Sequence, residues 1–241
     1  MEWKIGCSGY HYPEWRGNFY PEGIAQRNWF DYYSSHFNTL EMNMTYYKFP
    51  RLETLRRWHE RAPQGFSFTV KAPRHITHFK KFRDTRQMVD DFNGTVREGL
   101  AEKLGCVLFQ FPSNFGYESE RLGRITAMLD KSLQNVLEFR HQSWWNPEVY
   151  EDLTKAGVSF CGMSHPALPD SVVGTTDMLY YRLHGVPRLY SSLYESQKLE
   201  QVAHAMQNQS RRTAFVYFNN TADGHAITNA KQFQEICELV H

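Results

Sequence analysis

The chain has 241 residues, 41% of them hydrophobic, 22% charged and 15% aromatic, with a formal net charge of +1. That near-neutral balance supplies no strong field to draw it onto nucleic acid or an acidic membrane. With mean hydropathy of −0.61 and no long apolar run, the sequence also excludes a spanning helix. The composition is that of a folded domain, and ~250 residues is the usual size of one α/β barrel, so a single domain over residues 1–241 is expected.

The first residues lead straight into a strand-like run, with no apolar leader expected ahead of it. Eight short apolar runs read as strands: 3–8, 37–42, 66–72, 106–111, 136–140, 158–163, 179–184 and 214–219. Between them the apolar spacing turns helical over 24–35, 52–61, 85–104, 118–133, 146–156, 195–208 and 227–240. Pro147 stands where a first helical turn tolerates proline. The link 164–177, with Pro166, Pro169 and Gly174, has no helical period and reads as a loop. Strand-then-helix alternation predicts a parallel sheet, and eight units predict a closed (β/α)8 TIM barrel. Gly6 and Gly9 do not complete the glycine fingerprint of a doubly wound dinucleotide fold, which weakens that rival. Cys7, Cys106, Cys161 and Cys237 lie in apolar runs without a CxxC pair, which predicts reduced thiols and a cytoplasmic protein.

Strands buried on both faces should be apolar throughout, so the polar residues that interrupt them carry the information. They are Glu41, Asn43, Lys71, Gln110, Glu138, Arg140, Arg182, His184, Tyr217 and Asn219, nearly all at the C-terminal end of a strand. Glu138 and Arg140 are two apart and share a face, as do Tyr180, Arg182 and His184. If their apolar neighbours face helices, these charges face the barrel interior at the end where sites of this fold are built. Two carboxylates cannot neutralise Lys71, Arg140 and Arg182, and the surplus cation predicts an anionic ligand.

The sequence resembles a known family at these same places. The resemblance rests on Gly6-Cys7-Ser8-Gly9-Tyr10, Phe19-Tyr20-Pro21, Glu41 with Tyr46-Tyr47, and Ile76-Thr77-His78. It continues through Glu138-Phe139-Arg140-His141 with Ser143-Trp144, Tyr181-Arg182-Leu183-His184-Gly185 and Tyr217-Phe218-Asn219-Asn220. This is the pattern of domain of unknown function 72, the YecE-like proteins, over essentially the whole chain. Cys7 and Tyr10 stand where that family more often has Thr and Trp. The resemblance implies a barrel related in shape to sugar isomerases and metal-dependent endonucleases, and it implies no established activity.

The leading reading is therefore a barrel that binds or acts on a small anionic (phosphate or carboxylate) or sugar-like ligand, with hydrolase, lyase and isomerase chemistry all open to it. Glu41, Glu138 and His184 are the acid–base candidates. Lys71, Arg140 and Arg182 hold the negative group, Gln110, Tyr217 and Asn219 orient it with His141 and Asn220 beside them, and Trp144 covers it. Lys71 is expected to pair with Glu41 or Glu138 rather than form a Schiff base. No cofactor is required; Glu41, Glu138, His141 and His184 are of metal-ligand type, but no ligand spacing is present, so a divalent metal is left open. His75 and His78 read as surface or ligand-lip residues among Arg74, Lys80 and Lys81. A second reading takes that basic stretch, with Trp15, Trp144, Trp145, Tyr46 and Tyr47, as a nucleic-acid-binding or processing surface. A third is a non-catalytic binding protein whose charges are structural. No membrane contact is expected, and the sequence does not speak to oligomeric state.

Overall fold

The computed structural model describes residues 1–239; Val240, the last residue of the expected final helix, and His241 lie outside the described residues. Eight parallel strands follow one another in sequence order around a closed barrel. In chain order the elements are β1 (Glu2–Ser8), α1 (Trp29–Ser34), β2 (Thr39–Met42), α2 (Met44–Tyr47), α3 (Leu52–Arg61), β3 (Ser67–Lys71), α4 (Arg86–Leu100), β4 (Leu104–Phe111), α5 (Ser119–Met128), β5 (Asn135–Phe139), α6 (Pro147–Ala156), β6 (Ser159–Ser164), β7 (Met178–Leu183), α7 (Ser196–Gln207), β8 (Thr213–Phe218) and α8 (His225–Leu239). All eight expected strands are present, each end within two residues of its expected place, and the expected (β/α)8 fold class is borne out. No helix among the described residues is long and apolar enough to cross a membrane.

Residues group into two compact units, 1–41 with the residues from Gly162 onward, and 42–161. In the first unit β8, β1 and β2 are adjacent: Gly6 lies opposite both Tyr217 and Thr39, and Ser8 opposite Glu41. The Tyr33 hydroxyl of α1 enters this ladder, accepting from the Cys7 N–H at 2.7 Å and donating to the Thr39 carbonyl at 3.0 Å. Only glycine permits this at position 6, where a Cβ would stand 2.1 Å from the Thr39 carbonyl oxygen and 2.8 Å from the Tyr33 hydroxyl. The 164–177 link carries no helix. Asp170 fastens it, accepting from the Ser164 hydroxyl at 2.9 Å and the Tyr181 hydroxyl at 2.5 Å, with Lys198 at 2.8 Å.

In the second unit β3, β4 and β5 lie side by side, with Gln110 opposite Glu138. The helices turn their apolar faces inward, for example Val89, Phe92, Val96 and Leu100 of α4. α6 has the end signals that a sequence can display. Asn146 caps it by accepting from the Val149 N–H at 3.1 Å, Pro147 occupies its first turn, and Gly157 closes it at φ 68°. All four cysteines are buried thiols, and burial pushes the Cys7 thiol well above its usual range, which leaves it a core residue rather than a nucleophile.

Candidate functional site

Each unit brings several of its own polar strand ends together. In the first unit Glu41 and Arg182 are 0% and 1% exposed and paired at 2.5 Å. The Arg182 Nη2 also donates to the Ser8 hydroxyl at 2.8 Å, the Ser8 hydroxyl donates to Glu41, and the Tyr180 hydroxyl donates to the other Glu41 oxygen at 2.6 Å. Tyr180 and Arg182 thus share a face, as their spacing predicts. Each Glu41 oxygen is engaged, and the carboxylate meets a guanidinium, which is how a buried charge is made tolerable. Around it, the Tyr217 and Thr39 hydroxyls lie 2.6 Å apart, and the Asn219 amide nitrogen is 2.9 Å from Nδ1 of the buried His184. The Asn220 amide nitrogen is spent on the Ser192 carbonyl at 2.9 Å and Asn229 at 3.0 Å, so this residue fastens the β8 end to α8.

In the second unit β3 brings Lys71, β4 Gln110 and β5 Glu138, with Arg140 just beyond. Glu138 is fully buried and ion-paired to the Nε of Arg140. The Lys71 ammonium lies 4.5 Å from the centre of the Tyr46 ring, a cation–π distance, and its carbonyl accepts from the Thr45 hydroxyl at 2.6 Å. After β3 the chain makes one turn of π-helix, His75–Phe79, a form frequent at functional sites. That turn brings His78 back to the cluster. Its Nε2 is 3.4 Å from the Gln110 amide nitrogen, its Nδ1 is 2.9 Å from the Thr77 hydroxyl, and its ring meets Tyr46 edge-on at 5.2 Å. Burial first, then Lys71, Lys81 and Arg140, against the opposing pull of Glu138, lower its pKa to about 4. At pH 7 the ring is therefore neutral, a weakened base that can still accept a hydrogen bond or hold one for a ligand. His78 is half-buried at the edge of this cluster, and the π-turn that turns it towards Gln110 has no sequence signal.

Two expected site residues have other surroundings. Trp144 does not stand over a ligand: its indole is fully buried, parallel to Phe139 at 3.8 Å and to Phe115 at 5.5 Å, and its N–H donates to the Phe115 carbonyl at 2.6 Å. Trp15 is likewise buried and offers no stacking face. His141 uses Nδ1 on the Ser143 hydroxyl at 2.8 Å and on the Ser143 N–H, capping the turn 142–144. A cavity of about 260 Å3 is lined by Met42, Met44, Phe49 and Leu55 with Lys48 and Arg51, none of them an expected site residue. Among the described residues no three His, Cys, Asp or Glu side chains are grouped as a metal site requires. Glu138 is engaged by the Arg140 guanidinium, which makes it a poor donor for a divalent cation.

The family model described as "Protein of unknown function DUF72" matches residues 4–241. The chain is 26% identical to the UPF0759 protein YunF of Bacillus subtilis, over 92% of this chain and 91% of that one. It is 28% identical to the UPF0759 protein YecE of Escherichia coli, over 68% of this chain and 58% of that one. A DUF72 family protein from Thermotoga maritima superposes with a TM-score of 0.89 at 28% identity, covering 99% of this chain and 100% of that one. A xylose isomerase domain containing protein from Salmonella typhimurium, at a TM-score of 0.55 and 14% identity over 98% of this chain and 96% of that one, shares the fold alone.

Proposed function

The chain belongs to the DUF72 family, and from that premise we propose that it is a cytoplasmic protein that binds a small anionic ligand, a phosphate or carboxylate compound, at the ends of β3, β4 and β5. Lys71 and Arg140 hold the negative group, Gln110 orients it, and His78 with Glu138 is the acid–base pair if the ligand is turned over. The observation that carries this is the charge balance of the cluster. Lys71, Lys81 and Arg140 lower the His78 pKa while the buried carboxylate of Glu138 opposes them. A surplus of cation near a buried carboxylate is best relieved by an anion with several acceptor oxygens. Glu41 accepts from Arg182, Ser8 and Tyr180, so both its oxygens are engaged, and in this reading it serves the frame of the protein rather than the acid–base chemistry.

The test is a thermal-shift series with inorganic phosphate, a sugar phosphate and a dicarboxylate at millimolar concentration. A ligand that binds only the folded state raises the melting point with its concentration. The expected result is protection of the wild type that Arg140→Ala abolishes. Protection by none of the probes, together with loss of stability in Glu138→Gln, would make the charges structural and overturn the proposal.

A further inference from the structure

We propose that the rim of this site is a stacking platform for a nucleobase, so that its ligand is a nucleotide, either free or at the end of a strand. The inference rests on the anion site above and adds the group that the anion carries. Tyr47 and Phe79 are 70% and 65% exposed, unusual for large rings. The Arg74 guanidinium carbon lies 5.6 Å from the Tyr47 ring centre and 5.4 Å from that of Phe79, so one cation links both faces. Tyr47 meets Tyr46 edge-on at 5.0 Å, and Tyr46 lies beneath the Lys71 ammonium. A continuous run of ring and cation contacts therefore leads from the anion-holding lysine out to two open aromatic faces. Planar guanidinium beside exposed rings is the surface on which bases stack.

The charge around it selects an anion rather than a protein of mixed surface. The stretch 71–83 carries Lys71, Arg74, Lys80, Lys81 and Arg83, and the stretch 43–51 carries Lys48 and Arg51. Neither contains a carboxylate, in a chain of net charge only +1. The platform is also held in place. Phe79 is displayed from the π-turn, whose Ile76 and Thr77 are buried. The next residues anchor it: Lys80 donates to the His75 carbonyl at 2.9 Å, and the buried ring of Phe82 packs on Phe109 at 5.4 Å. Lys81, Phe82 and Asp84 all have positive φ, at 49°, 59° and 50°, a conformation that non-glycine residues keep only where the surroundings enforce it.

The experiment is calorimetric titration of the full chain with adenosine 5′-monophosphate, ribose 5-phosphate and a hexameric single-stranded oligonucleotide. Stacking of one base is worth about tenfold or more in affinity, so the nucleotide should bind about tenfold tighter than the sugar phosphate. Tyr47→Ala and Phe79→Ala, both at exposed positions, should remove that advantage and leave ribose 5-phosphate binding unchanged. An oligonucleotide that outcompetes the mononucleotide and weakens steeply with salt identifies a strand as the source; equal affinities identify the free nucleotide. Equal binding of nucleotide and sugar phosphate, or no effect of either ring, overturns the platform alone. Failure of every phosphate to bind overturns the anion site beneath it.

Discussion

Glu41→Gln tests whether the buried carboxylate belongs to the frame or to the chemistry. The substitution keeps shape and removes a carboxylate charge paired with Arg182, which is 1% exposed. Breaking a buried pair by removing one partner costs about 3–5 kcal/mol, because the other charge is left uncompensated. Replacing both, as in Glu41→Leu with Arg182→Met, removes the stranded charge and should recover part of that loss. The remainder is the cost of leaving the Ser8 and Tyr180 hydroxyls without their acceptor, about 1–3 kcal/mol each. Urea unfolding followed by tryptophan fluorescence reads this directly. With a slope of about 3 kcal/mol/M, the single variant should lower the midpoint by about 1–2 M. A single variant within a few tenths of a kcal/mol of wild type that has lost ligand binding would refute the assignment of Glu41 to the frame.

Three further outcomes are expected. His78, followed by its ring-proton NMR signals, should titrate near pH 4 rather than near its ordinary 6.5. Its folded pKa is depressed, so the unfolded chain takes up the proton first; the contribution is fully present above about pH 6.5 and is lost as pH falls towards 4. For a half-exposed ring that is about 1 kcal/mol after solvent screening, and His78→Gln should flatten the stability profile across that window. Gly6→Ala should cost about 3 kcal/mol or more in thermal unfolding, because its Cβ would meet a backbone carbonyl that cannot move without parting β1 from β2; a melting point unchanged within 2 °C, roughly the shift of 1 kcal/mol at this size, would show that the ladder gives. Asn220→Ala should lower stability by about 1–3 kcal/mol through the acceptors it leaves at Ser192 and Asn229, with anion binding intact; lost binding at unchanged stability would return Asn220 to the ligand.

The sequence carried the barrel because parallel strands buried on both faces must be apolar along their length, and helices between them must be apolar on one face only. Both periods are local. The helix ends were legible where their chemistry is also local, as with Asn146, Pro147 and Gly157 around α6. They were misjudged where a turn intervened. The stretch 118–133 ends its helix at Met128, and Asp130 then turns the chain by accepting from the Ser132 N–H at 2.9 Å. The stretch 24–35 is helical only from Trp29, after a tight turn at 26–28. Polar residues at strand ends announced where charge would gather, but not which groups would meet. Glu41 finds Arg182 across 141 residues through strand register, which no local pattern encodes. Trp144 follows a charged motif and could equally face in or out; the parallel stack on Phe139 sends it inward. His78 was legible as a histidine among cations, whereas its neutrality depends on burial that only the π-turn provides.

The most direct test of an anion site at the ends of β3 to β5 is a calorimetric titration of inorganic phosphate into wild type, Lys71→Ala, Arg140→Ala and the exposed control Lys155→Ala. Charge-assisted hydrogen bonds of about 1.5–3 kcal/mol each correspond to about 10–100-fold in affinity. The first two variants should each weaken binding by that factor, and the control should not. Equal affinity in all four proteins would contradict the assignment.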